Sequence, residues 1–170
     1  VYLKPLLLDR GFPANEVALI AGVGGGALGA AASLAAGFVP RSRVPNILPL
    51  SAGANVAALA LLAVATAHAS DPWLLTATAL LAIAMGVASS LAFALMMEFA
   101  RDSWRAADYG LQASLFTLGR IAVAPLAGLL LDRFGYPGML AALAVAALLV
   151  ALLISTRRRC GISLTDGVPP

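Results

Sequence analysis

Residues 108–136 read DYGLQASLFTLGRIAVAPLAGLLLDRFGY, a long apolar run with Arg120 near its middle. A run of this length suits one pass through a bilayer, which takes ~20 helical residues. A guanidinium at mid-depth costs roughly 2.5 to 3.5 kcal/mol on insertion scales, so it normally faces protein, a cavity or a solute path rather than lipid. At ~100° per residue, Tyr109, Gln112, Phe116 and Arg120 fall within about 80° of arc and form one stripe. Two readings follow. The stripe is a surface for an anionic or carboxylate-bearing solute, or Arg120 is clamped by a carboxylate on a helix this sequence does not contain.

The rest of the chain agrees that the solvent is lipid. Hydrophobic residues make up 61% of the 170 and charged residues 11%, against about 25% charged in soluble domains. Five runs are long enough to span: about 16 to 39, 46 to 67, 72 to 97, 108 to 131 and 138 to 156. All are too long and too rich in Ala and Leu for barrel strands, so the expected fold is an all-α transmembrane helix bundle. Val1 to Leu8 is apolar but too short to cross, and it reads as the tail of a helix cut off upstream. The expected organisation is a transmembrane half-domain over 1–156 and a cytoplasmic tail over 157–170.

Arginines in the connections set the orientation. Seven follow spans one, three and five (Arg41, Arg43, Arg101, Arg105, Arg157, Arg158 and Arg159), and two lie on the opposite side (Arg10 and Arg133). The side with seven is expected to be cytoplasmic, and with it the C-terminus. The net charge of +3 is then a topology signal, and no nucleic-acid partner is expected. Cys160 is the only cysteine, no Cys/His cluster suggests a metal, and no nucleophile with a base or paired carboxylates suggests an enzyme.

Local patterns refine the spans. GVGGGALG, residues 22–29, sets Gly22 four residues from Gly26 and Gly25 four from Gly29, a spacing that permits close helix contact. The short link PRSRVPN makes spans one and two expected antiparallel neighbours. Asn55 lies near mid-membrane, where its amide serves either an interhelical bond or a solute. In span three, Met85, Ser89, Phe93 and Met96 share about 80° of one face, either packing or lining a path. Ser89 and Ser90 are expected to bond backward to their own helix. His68 reads as a solvated interfacial residue, and Lys4 as one that snorkels to the surface. Asp71 and Pro72 suit the start of span three as N-cap and first helical residue. The connection EFARDSWRAADY carries Glu98, Arg101, Asp102, Arg105 and Asp108, a mixed set able to form ion pairs that open and close.

Taken together, these pieces resemble the C-terminal half of a major facilitator superfamily transporter. Gly119, Arg120, Pro125, Gly128, Asp132, Arg133, Gly135 and Tyr136 resemble the pattern of its eleventh helix and following turn. PRSR resembles the basic gating link after the eighth helix, keeping Arg41 and Arg43 without the acidic member. PLLLDRGFPANEVA and MMEFARDSWRAADYGLQAS are similar to the branch holding siderophore permeases, muropeptide permeases and acetyl-CoA transporters. In its capping box Glu16 remains while Pro13 stands where serine is usual.

The resemblance implies the C-terminal six-helix half of a twelve-helix fold, first helix truncated, with a missing N-terminal half as partner. It implies a multi-pass protein of the bacterial inner membrane that imports a small-molecule solute by alternating access. Symport on a proton gradient, with no cofactor, goes with it. The expected substrate is a ferric siderophore, with Arg120, Gln112, Tyr109, Phe116, Asn55 and Ser89 at the solute and Arg41, Arg43 and Asp108 at the gate. Alternatives are a muropeptide permease, a drug or metabolite efflux pump, and a non-transporting structural subunit.

Overall fold

The computed structural model describes residues 3–68 and 71–159, less the side chains of Arg41 and residues 157–159. Every regular element among them is a helix: α1 (Leu3–Asp9), α2 (Ala14–Val17), α3 (Gly25–Gly37), α4 (Val44–His68), α5 (Asp71–Glu98) and α6 (Arg105–Arg159). A π-helical segment, Ala18–Gly24, joins α2 to α3, so that Ala14–Gly37 forms one crossing. Large apolar side chains cover the outside, among them Leu111, Leu115, Leu118, Ile121, Leu126 and Leu129. That surface fits lipid, where backbone groups must be satisfied within the helices.

The connections follow from local chemistry. After α1 the chain reverses at Gly11, whose φ of 86° lies in the left-handed region that glycine enters without strain. The Gly11 and Phe12 amides donate to the carbonyls of Leu8 and Leu7, at 2.9 and 3.2 Å. Pro13 is extended and lacks a capping side chain, so its carbonyl alone accepts from the amides of Glu16 and Val17, at 3.0 and 3.1 Å. The half-present capping box is thus replaced by a backbone acceptor.

At 55 residues, α6 would be ~80 Å long if straight, more than twice a ~30 Å hydrocarbon core. It is broken at Gly135, where φ is 67° and ψ is −175°, into arms 105–134 and 136–159. Both arms return to one core: Ala127 from the first, Met139 and Leu140 from the second. Four helices are long and apolar enough to cross a membrane, and the expected fourth and fifth runs lie on the two arms of the last of them.

Two expectations about packing are corrected. Spans one and two do not form the main pair, because α3 packs along α5 while α4 packs along α5 and α6. The short link fixes where α4 begins, but close approach is decided by glycines on other faces. Gly29 and Gly86 meet backbone to backbone, and a Cβ on Gly86 would overlap the Gly29 carbonyl and lie 3.1 Å from its Cα. Gly22 and Gly26 face open space instead and bring no helix close. The π-helical turn passes through the same glycine run. A Cβ at Gly24 would sit 3.3 Å from the Leu19 carbonyl oxygen, one wide turn back, a crowding that glycine avoids.

The core lies toward one end. Leu6 and Leu7 of α1, Leu62 and Ala65 late in α4, and Leu74 and Ala77 early in α5 pack with Ala127, Met139 and Leu140. Polar bonds close the same end. The Tyr136 hydroxyl donates to an Asp9 carboxylate oxygen at 2.6 Å, and Arg10 donates to the Thr66 carbonyl.

A cleft between α1, α4, α5 and α6

Several of these core residues also line a cleft of about 340 Å³ between the helices. Its walls are mainly Leu and Met, including Leu6, Leu59, Leu62, Leu81, Met85 and Met139. Three lining residues are polar: Asn55, Arg120 and Tyr136. Two residues expected at the site, Arg120 and Asn55, are thus brought together from different helices.

The polar three differ in what they have left to offer. Asn55 donates from Nδ2 to the Ser51 carbonyl on its own helix at 2.9 Å and to the Ala84 carbonyl of α5 at 3.1 Å. Its interhelical role is therefore real, and both amide protons are used. Tyr136 spends its proton on Asp9. Arg120 makes no hydrogen bond or ion pair among the described residues, and its guanidinium carbon stands 6.0 Å from the centre of the Phe116 ring. At that range an aromatic face attracts a cation without neutralising it.

Phe116 links Arg120 to span three. Its ring meets Phe93 edge-on, centroids 5.7 Å apart at 63°. The stripes of α6 and α5, read separately, are therefore in contact through Phe93 and Phe116. Ser89 is half-buried one turn before Phe93. Neither Ser89 nor Ser90 makes a hydrogen bond among the described residues, so the expected backward bonds are absent there. Such bonds form elsewhere, from Ser51 to Leu48, Thr66 to Ala63 and Thr78 to Leu74, at 2.6 to 2.8 Å. Gln112 is half-buried and Tyr109 is 37% exposed. They continue the Arg120 stripe but do not line the cleft. Eleven residues separate Tyr109 from Arg120, ~16 Å along a helix.

Of the described residues expected at the gate, Asp108 is the one with an ion-pair partner. Asp108 accepts two hydrogen bonds from the Arg101 guanidinium at 2.8 Å and one from its backbone amide at 3.1 Å. Asp108 in turn raises Arg101 further above its already high value. Asp102 and Arg105 form a second, exposed pair. Arg43 is exposed and has no acidic partner among the described residues, and the Arg41 side chain lies outside them. Of the other residues considered, Lys4 is exposed, and His68 is exposed with Nδ1 3.0 Å from the Val64 carbonyl. Cys160 and the rest of the expected tail from 160 onward lie outside the described residues.

Sequence reasoning missed three residues here. Periodicity puts Met85 on the span-three face but does not show that it lines the same cleft as Arg120. The sequence shows Tyr136 only as part of a turn, and it gives Gly86 no special place. The signal for Gly86 was a lone glycine inside an apolar helix, which often marks a close backbone approach.

A helical bundle with an apolar exterior and a mostly apolar cleft that one arginine faces suits solute passage. The family model of the Major Facilitator Superfamily matches residues 1–160. The chain belongs to that superfamily. Major Facilitator Superfamily proteins are secondary transporters, and this chain is accordingly a multi-pass membrane protein of transport function. No solved structure gives a significant match. Among the described residues no group of His, Cys, Asp or Glu is placed to hold a metal ion.

Proposed function

We propose that the protein imports an anionic or carboxylate-bearing solute across the bacterial inner membrane by alternating access, driven by a proton gradient. The observation that carries this reading is Arg120: a cation facing an apolar cleft, with an aromatic ring beside it and no carboxylate partner among the described residues. An arginine at that depth is costly unless an anion or a polar partner meets it. A solute anion is the partner proposed. Phe116 braces the guanidinium, and Gln112, Tyr109 and Ser89 supply further polar contacts along the path.

The packed end closed by Tyr136–Asp9 and Arg10–Thr66 is assigned to the outer side, because most arginines in the connections lie at the other end. The Arg101–Asp108 pair then belongs to the cytoplasmic gate, with Arg41 and Arg43 nearby in the link before α4. A second set of six helices would cover the exposed side of α6 and complete the path. C-terminus and tail are cytoplasmic in this reading.

A ferric siderophore is the substrate proposed, since the two long blocks PLLLDRGFPANEVA and MMEFARDSWRAADYGLQAS resemble siderophore permeases. The test is uptake of iron-loaded siderophores by cells carrying the full-length gene, with and without a protonophore, and with Arg120→Gln. Protonophore-sensitive iron uptake that falls in the variant supports the whole reading. Uptake with unchanged affinity in Arg120→Gln removes Arg120 from the site, and no iron uptake at all removes the siderophore.

A further inference from the structure

We infer that Phe93 of α5 is a positioning residue for Arg120, acting across the helix interface through the ring of Phe116. This rests on the reading of Arg120 as a solute anchor and names what aims it.

The support is built of contacts in series. α5 is held by its own backbone: Asn55 of α4 donates to the Ala84 carbonyl at 3.1 Å, and Gly86 stands against Gly29 of α3 with no room for a Cβ between them. Two turns beyond Gly86, about 10 Å along the helix, α5 presents Phe93 to α6. The rings of Phe93 and Phe116 meet edge-on, centroids 5.7 Å apart at 63°, inside the range of about 4.5 to 7 Å that aromatic pairs favour. Phe116 in turn stands one helical turn before Arg120, whose guanidinium carbon is 6.0 Å from the ring centre.

Each link bears on how well Arg120 can hold an anion. A long arginine side chain samples many rotamers, and ordering it at the moment of binding weakens the affinity for whatever it meets. A ring face beside the guanidinium narrows that range in advance and leaves the charge intact. The ring needs support of its own, because a phenyl group turns about two side-chain bonds. An edge-on neighbour gives its plane a preferred orientation. Phe93 supplies that neighbour from a different helix, so the aim of Arg120 depends on how α5 and α6 sit against each other.

The test is uptake of iron-loaded pyochelin and iron-loaded rhizobactin, two carboxylate-bearing probes, by cells carrying the full-length gene. The native protein is compared with Phe93→Leu, Phe93→Tyr, Arg120→Gln and the double variant Phe93→Leu with Arg120→Gln. KM is the quantity read, because it does not depend on how much folded protein each variant yields. Phe93→Leu should raise KM roughly two- to tenfold, the size of one aromatic pair, and change the maximal rate per molecule less. Phe93→Tyr keeps the ring and should restore KM to near the native value, since Phe93 is partly exposed and has room for a hydroxyl. In the Arg120→Gln background, Phe93→Leu should leave KM where Arg120→Gln alone puts it, because no guanidinium remains to be aimed.

The failures are distinct. An unchanged KM in Phe93→Leu, while Arg120→Gln raises it, overturns the inference and leaves the anchor standing. A rise that Phe93→Tyr shares, or one that adds in full to that of Arg120→Gln, also overturns it, since Phe93 would then act by packing and not through the cation. If Arg120→Gln leaves KM unchanged, or neither probe is taken up, the anchor reading falls and this inference with it.

Discussion

Two polar side chains of α4 are buried, whereas on the first arm of α6 Gln112 is half-buried and Arg120 exposed, and the two pairs differ in bonding as well. On α4, Ser51 and Thr66 are 6% exposed, and they and Asn55 each donate to a carbonyl. On α6, Gln112 and Arg120 have no hydrogen-bond partner among the described residues, and Arg120 leans only on an aromatic ring. In lipid an unsatisfied polar group is destabilising, so the bonded set belongs to the fold, and the second set is the one proposed above to meet a solute. A neighbouring helix would be the other partner able to satisfy it.

The clearest break in this comparison is made outside both sets, where structure alone is at stake. Gly86→Val places a branched side chain against the Gly29 carbonyl, and backbone cannot step aside as a flexible side chain can. We expect a loss near the upper end of the ~1 to 3 kcal/mol typical of overpacking, with little folded protein recovered in detergent, as thermal unfolding would show. A variant that folds normally would show that α3 and α5 separate easily.

Arg120→Gln should do the reverse. Solute affinity should fall roughly 10- to 100-fold, the equivalent of one charged hydrogen bond, while the unfolding temperature stays level or rises. A clear fall in stability with unchanged affinity would move Arg120 into the structural set. Asn55→Leu tests the opposite side of the comparison. It removes the bond to Ala84 and should cost about 0.6 to 1.7 kcal/mol of stability, the range for polar contacts between membrane helices. Any effect on affinity should be smaller than that of Arg120→Gln.

Tyr136→Phe removes the bond to Asp9 and should cost roughly 0.5 to 1.5 kcal/mol. The smallest effect is expected for Asp102→Ala, whose side chain is 87% exposed beside an equally solvated arginine. Unfolding should be unchanged within error, because exposed pairs of this kind contribute little.

Much of the fold was legible before any coordinates. Composition and run length led to the spans because bilayer thickness and the need to satisfy every backbone group leave helices as the solution for such sequences. Gly135 was legible as a breaker, and Arg120 as an anomaly of charge. Periodicity also grouped Tyr109, Gln112, Phe116 and Arg120 correctly on one helix, and Met85, Ser89, Phe93 and Met96 on another.

Periodicity fixes a face, but it carries no information about what lies opposite. It therefore could not say that Phe93 would meet Phe116, that Asn55 would spend its amide on α5, or that Asp108 would pair with Arg101. Nor could spacing rank the glycines. Gly22 and Gly26 carry the same four-residue signature as Gly25 and Gly29, and only Gly29 found a partner, because Gly86 lay across from it. The sequence by itself determined the solvent, the helices and the charge that must be explained. Tertiary structure alone decided which polar groups are satisfied and which are left facing the cleft, since satisfaction depends on pairs of atoms brought together from distant parts of the chain.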